Sequence, residues 1–185
     1  MVSAMRRMLW MPAAAVAVAL GGMPGLAARA ETPKDVQKVE KLPGGYVRVT
    51  TAAYSVEVPE DWKVGEETSF GERSFTGDAG ARMTAMTAAG AGKQEWERLY
   101  KTSLFYIRPG EGEKATPYTV AKTAQGYESA SFSVLNKDGF ARARYVLLKS
   151  PAGALLALSV KVPAREDEAK LIPAFERMVR TAVLR

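Results

Sequence analysis

The chain contains no cysteine and no histidine. Without them there is no Ser-His-Asp triad, no thiol nucleophile and no zinc site of the usual nitrogen and sulfur type, so most common hydrolase mechanisms are excluded. The lack of cysteine also removes any disulfide framework, and with it the lipid-bearing cysteine of an anchored lipoprotein, so the fold must rest on its own core. The patterns G-x-S-x-G, S-x-x-K and G-x-x-x-x-G-K are missing as well. Gly90-Ala91-Gly92-Lys93 only superficially suggests a phosphate loop, because the upstream glycine and the following Ser or Thr are absent, and it reads as a flexible approach to a helix. No metal and no cofactor is expected from this inventory.

What is present begins with a positive, then apolar, then small-residue order. Arg6 and Arg7 precede the stretch Leu9 to Leu20, and a Gly- and Pro-containing region closes on Ala28-Arg29-Ala30. That is the signal-peptidase pattern, and it predicts cleavage after Ala30. The apolar stretch is well short of the roughly 20 residues that a membrane-crossing helix needs, so no permanent anchor is expected after cleavage. The location implied is periplasmic or secreted, by the general route or, through Arg6-Arg7, by the twin-arginine route. The formal charge of +6 shrinks by half once Arg6, Arg7 and Arg29 leave. A domain so balanced, with both signs interspersed, has no electrostatic footprint for nucleic acid. About 150 residues remain, enough for one domain to bury roughly two-thirds of its unfolded surface.

Residues 31–44 are polar, hold two prolines and show no sustained apolar period, which reads as a flexible lead-in to a single domain over 45–185. After it the period becomes two: Tyr46 to Val49, Tyr54 to Val58, Arg73 to Thr76 and Arg82 to Thr87 alternate as half-buried strands do. From Lys93 the period is helical, with Trp96, Leu99, Tyr100, Leu104 and Ile107 on one side, until Pro109-Gly110 ends it. Four further strand-like runs follow: Tyr118 to Thr123, Tyr127 to Leu135, Phe140 to Leu148 and Ala154 to Val162. The Asp138-Gly139 pair and the turn Ser150 to Gly153 predict that they form an antiparallel meander. Arg165 to Leu184 carries an apolar stripe of Leu171, Ile172, Phe175, Met178, Val179 and Ala182 at helical spacing, with Glu166, Asp167 and Glu168 favouring the positive end of the helix dipole. Runs of strands interrupted by two lone amphipathic helices indicate an α+β fold, mainly antiparallel sheet flanked by helices.

The stretch Tyr54-Ser55-Val56-Glu57-Val58-Pro59-Glu60-Asp61-Trp62, an alternating strand ended by proline and followed by tryptophan, resembles the start of Mog1/PsbP-like domains. The C-terminal part, with Asp138-Gly139-Phe140, a strand pair and a helix containing Phe175-Glu176-Arg177-Met178, is similar to the end of the same family. The resemblance covers about residues 45–184 and implies a sandwich with an antiparallel sheet of about six strands. Members of that family serve unrelated tasks: Ran binding, an extrinsic subunit of photosystem II, and roles not assigned in bacterial envelopes. The resemblance therefore implies a fold rather than a function. Plant relatives use histidine near metal, and this chain has none to offer.

Four residues stand out as a candidate surface for a ligand or partner. Tyr54 and Trp62 could stack a ligand, or anchor the first strand in the core. Arg142 and Arg144, read as projecting to one face between Phe140 and Val146, could bind a carboxylate or phosphate, or cover the rim of a core with their stems. Trp96 and Tyr100 read as core residues. The leading expectation is an exported, non-enzymatic binding or accessory module of the cell envelope, whose partner is an unknown protein or small ligand. The alternative is a carboxylate-based hydrolase of cell-wall glycan, for which Glu57, Glu60 and Asp61 form the nearest cluster. A purely structural envelope subunit is the third reading.

Overall fold

The computed structural model describes residues 35–88 and 90–185. The export segment read over residues 1–30 lies outside the described residues.

Strands β1 (Lys38–Leu42) and β2 (Tyr46–Thr50) make a hairpin whose turn needs glycine at both Gly44 and Gly45, with φ of 81° and 76°. Side chains adopt such angles only at a steric cost. β3 (Tyr54–Pro59) pairs with β2 so that Val56 faces Val49 and Val58 faces Val47, which places an unbroken apolar surface on one side of this sheet. β1 lies inside the span that the sequence suggests is a flexible lead-in, which corrects that reading for residues 38–42. Its sequence, KVEKL, carries no apolar alternation because it is an edge strand with mostly exposed side chains, held by backbone pairing rather than by a buried face. Val36, just ahead of it, is buried and fixes the segment to the core.

The second sheet is built from β4 (Lys63–Glu67), β5 (Glu72–Thr76), β6 (Arg82–Ala88), β7 (Lys114–Ala115), β8 (Thr119–Lys122), β9 (Glu128–Leu135), β10 (Ala141–Lys149) and β11 (Leu155–Lys161). Their order is β4-β5-β6-β11-β10-β9-β7, with β8 also beside β9, and every pair is antiparallel. The run from β8 to β11 is the meander that the turn signals predict. At its β9–β10 turn the Asn136 side-chain oxygen accepts from the backbone N–H groups of Asp138 and Phe140 at 3.0 and 2.9 Å, and Gly139 takes a φ of 74°.

Two helices cover this sheet from opposite sides. Helix α1 (Trp96–Ile107) sets Leu99 on Leu147 and Leu155, with Trp96 and Ala157 around them. Helix α2 (Glu168–Thr181) buries Leu171, Ala174, Phe175 and Met178 in the main core, between the inner face of the first sheet and the second sheet's Phe75, Met83, Leu148, Leu156, Leu158 and Val160. The chain does not stay helical to Leu184. It leaves α2 after Thr181 and forms β12 (Val183–Leu184) on the free side of β3, pairing Val183 with Ser55 and Leu184 with Tyr54. Unpaired backbone groups at that edge favour the strand over one more helical turn.

The fold is α+β, as expected, but with more than six strands, divided between two sheets. The unforeseen ones, β1, β4, β7 and β12, are edge strands or only two residues long, so none of them carries a run of alternating apolar residues.

Candidate ligand groove

α2 packs mainly against β3 and β11, reaching β10 at Leu148 and Val146, and covers the serine face of β9 only in part, since Ser131 is exposed and Ser133 half-buried. The sequence of β9, ESASFSVL, alternates serine with apolar residues. Ala130, Phe132 and Val134 are buried toward α1, where Phe132 meets the Tyr100 ring edge-on at 5.1 Å and stacks on Tyr145 at 5.0 Å. Period two then sends Ser131 and Ser133 to the α2 side, opposite Val146 and Arg144 of β10. Serine cannot draw a helix onto itself, so a groove of about 700 Å³ remains between this strand pair and α2.

One wall of the groove is apolar: Ile172, Phe175 and Val179 of α2, continued by Val146. The other is a row of hydroxyls. Thr119 and Ser131 share a hydrogen bond of 2.9 Å, and the Thr116 hydroxyl accepts from the Ser133 N–H at 3.0 Å. The β8–β9 turn is tied to α2 by the Gln125 side-chain amide, which donates to the Arg180 carbonyl. Arg144 lies in the groove and donates from Nη2 to Glu168 of α2 at 2.7 Å, while its buried Nε finds no partner among the described residues. An apolar body with a few converging polar groups is the usual composition of a ligand seat.

The four candidate surface residues do not come together. Pairing is irregular between Ala141 and Ala143, and Arg142 goes to Glu113 at 2.8 Å whereas Arg144 goes to Glu168. They therefore form no two-arginine receptor, and only Arg144 lines the groove. Tyr54 and Trp62 are 0 % and 5 % exposed, which removes both from any contact surface. Burial, with Glu67 nearby, pushes the Tyr54 phenol far above its ordinary value. The Trp62 ring lies against Gly77 so closely that a Cβ there would come within 2.6 Å of it. Trp96 and Tyr100 pack from α1 against the second sheet, as expected, though both are only half-buried.

The acid cluster of the hydrolase reading is also dispersed. Glu57 accepts from Arg48 at 2.7 Å and from Arg177 at 2.9 Å, and the Arg177 guanidinium lies 3.8 Å over the Tyr46 ring. Burial alone would raise the Glu57 carboxyl, but the two arginines outweigh it and hold the group below the usual carboxylate range. A group held ionised in this way has no proton to give a leaving group. Glu60 pairs with Lys41 and Asp61 is exposed. The would-be phosphate loop has a packing reason instead: a Cβ at Gly92 would come within 2.4 Å of the Gly153 carbonyl oxygen.

Sequence reading missed the groove and the buried Arg73. The period-two serines of β9 signalled the groove, although nothing local said that α2 would stop short of them. Arg73 is 0 % exposed, faces Asp35 and Glu67, and donates to the Gly65 carbonyl. Among the described residues no cluster of three or more acidic, cysteine or histidine side chains is placed to hold a metal, and no helix is long and apolar enough to cross a membrane.

No family model matches the chain, and no curated protein is similar to it in sequence. Solved structures are similar in shape. The solution structure of cyanobacterial PsbP (CyanoP) from Synechocystis sp. PCC 6803 superimposes with a TM-score of 0.52 at 12% identity, covering 89% of this chain and 98% of that one. The Ran-binding protein Mog1p of Saccharomyces cerevisiae gives a TM-score of 0.46 at 14% identity, over 80% of this chain and 94% of that one. At such identities a likeness to PsbP concerns the fold alone. The chain has the Mog1/PsbP-like fold that its Tyr54 to Trp62 stretch implied.

Proposed function

We propose that the chain is an exported, non-enzymatic binding or accessory module of the cell envelope, and that the groove between α2 and β8–β10 is its ligand seat. The observation that carries this reading is the groove itself: an apolar helix wall facing a row of hydroxyls and one arginine, over about 700 Å³, within the range typical of small-ligand sites. Export rests on the order of charge, apolar stretch and small residues over positions 1–30. The non-enzymatic part rests on the missing histidine and cysteine and on the pinned Glu57.

The test is native mass spectrometry of the protein isolated gently from its own envelope, beside the same sample denatured. Ser131→Trp is the companion variant, because Ser131 is exposed on the groove floor and a large strand-compatible ring there fills the seat without replacing any core side chain. An extra mass seen only under native conditions, and lost in S131W, supports the reading. An extra mass retained by S131W puts the seat elsewhere, and a bare wild-type chain sinks a tightly held ligand.

A further inference from the structure

Among the described residues, β8 has β9 on one side and no strand on the other. The Thr123 N–H donates to the Tyr127 carbonyl at 2.9 Å, and Ala121 and Thr119 stand opposite Ser129 and Ser131. The alternation of an antiparallel ladder therefore makes 119, 121 and 123 the residues bonded to β9, and turns the N–H and C=O of Val120 and Lys122 outward. All four residues of β8 are exposed, Val120 by 54 %. The two five-residue edges, β1 and β4, are guarded. β1 carries Lys38, Glu40 and Lys41, while β4 pairs irregularly with β5 between Val64 and Glu67 and carries Lys63, Glu66 and Glu67. Charges and bulges of this kind block edge pairing. β8 has neither bulge nor proline, and a single lysine at its end.

We infer that β8 is a docking edge on which an extended segment of another protein adds as a strand, its alternate apolar side chains entering the groove from its β8 side. This rests on the groove being the ligand seat. Unpaired backbone donors and acceptors in strand geometry select an extended backbone. A strand laid on β8 sends every second side chain to the α2 side, where the groove begins beside Thr119 and Thr123. Side-chain size and charge then decide between a foreign strand and a second copy. A second β8 would offer either Thr119 and Ala121, too short to reach toward the apolar wall, or Val120 and Lys122, which would point an ammonium toward it. A segment with bulky apolar residues at alternate positions meets both the edge and the apolar wall.

The probe is a short synthetic peptide alternating leucine and threonine, with glutamate at each end, added to the full chain. Hydrogen exchange read by NMR should slow at Val120 and Lys122, and not at Ala121 or Thr123, whose N–H groups are already bonded. Val120→Pro removes one outward N–H and leaves the β8–β9 ladder whole, since proline is tolerated where the N–H faces solvent. It should weaken the peptide by about tenfold, the worth of one or two lost hydrogen bonds. If the peptide shifts the Ile172 and Val179 methyls equally in wild type and V120P, without slowed exchange on β8, the groove stands and strand addition is overturned. If neither groove nor edge responds, both fall. A wild-type dimer that V120P converts to monomer makes a second copy the occupant and overturns the inference.

Discussion

Phe175 is the residue on which α2 stands or falls. It is 3 % exposed in the main core and has one edge on the groove. A buried phenylalanine removes about 150–250 Å² from water, and at about 25 cal/mol per Å² that is roughly 4–6 kcal/mol, of which alanine retains a part. Truncation in a packed core costs about 3–5 kcal/mol overall. Because the groove lets solvent reach part of the space left by Phe175→Ala, the lower end applies, about 3 kcal/mol. For a domain of this size each kcal/mol moves Tm by about 2–4 °C, so the variant should melt roughly 10 °C lower. Phe105→Ala is the control: the same ring is removed from the same type of element, but Phe105 is 65 % exposed, and the change should stay within about 0.5 kcal/mol. Urea unfolding followed by circular dichroism reads both, with an unchanged m-value showing that stability alone has moved. A loss below about 1 kcal/mol for F175A, or equal losses for the two variants, would refute the docking of α2 described above.

The paired carboxylate makes a pH prediction. Because the folded-state pKa of Glu57 is lowered, its ionisation stabilises the fold above the unfolded carboxylate value of about 4.3, and that contribution is lost as pH falls through the lower, folded value. Glu57→Gln should therefore be less stable than wild type at pH 7, with a gap that closes in acid; a gap independent of pH would show that the arginines do not hold the charge. Gly77→Ala should cost about 1–3 kcal/mol through overpacking against Trp62, because the Gly77 φ of −101° suits alanine and only the ring stands in the way. A neutral result in thermal melts would mean that the ring moves aside freely.

Some of this was legible along the chain and some was not, for reasons that particular residues show. The strands β2, β3, β9, β10 and β11 and both helices were readable because each turns an apolar face inward, and such a face leaves a period. β1 and β4 leave none, since an edge strand is held by backbone pairing that any sequence can supply. The end of α2 was misplaced because Ala182 and Val183 suit a helix as well as a strand, and the free edge of β3 made the choice. Tyr54 and Trp62 were visible as unusual residues, yet an aromatic ring reads alike in a core and in a binding site until its burial is known. Arg142 and Arg144 look like neighbours at a spacing of two, and the irregularity at Ala141–Ala143 is what separates them.

The missing histidine and cysteine, and the α+β alternation of periods, can be read along the chain because they are properties of single residues or of local spacing. Where α2 stops across the sheet, which serines that leaves open, which arginine stays in the groove and which strand edge remains unpaired emerge from the packing of the folded chain. Those outcomes depend on contacts between segments far apart in the chain, and no local pattern encodes how far one element extends over another.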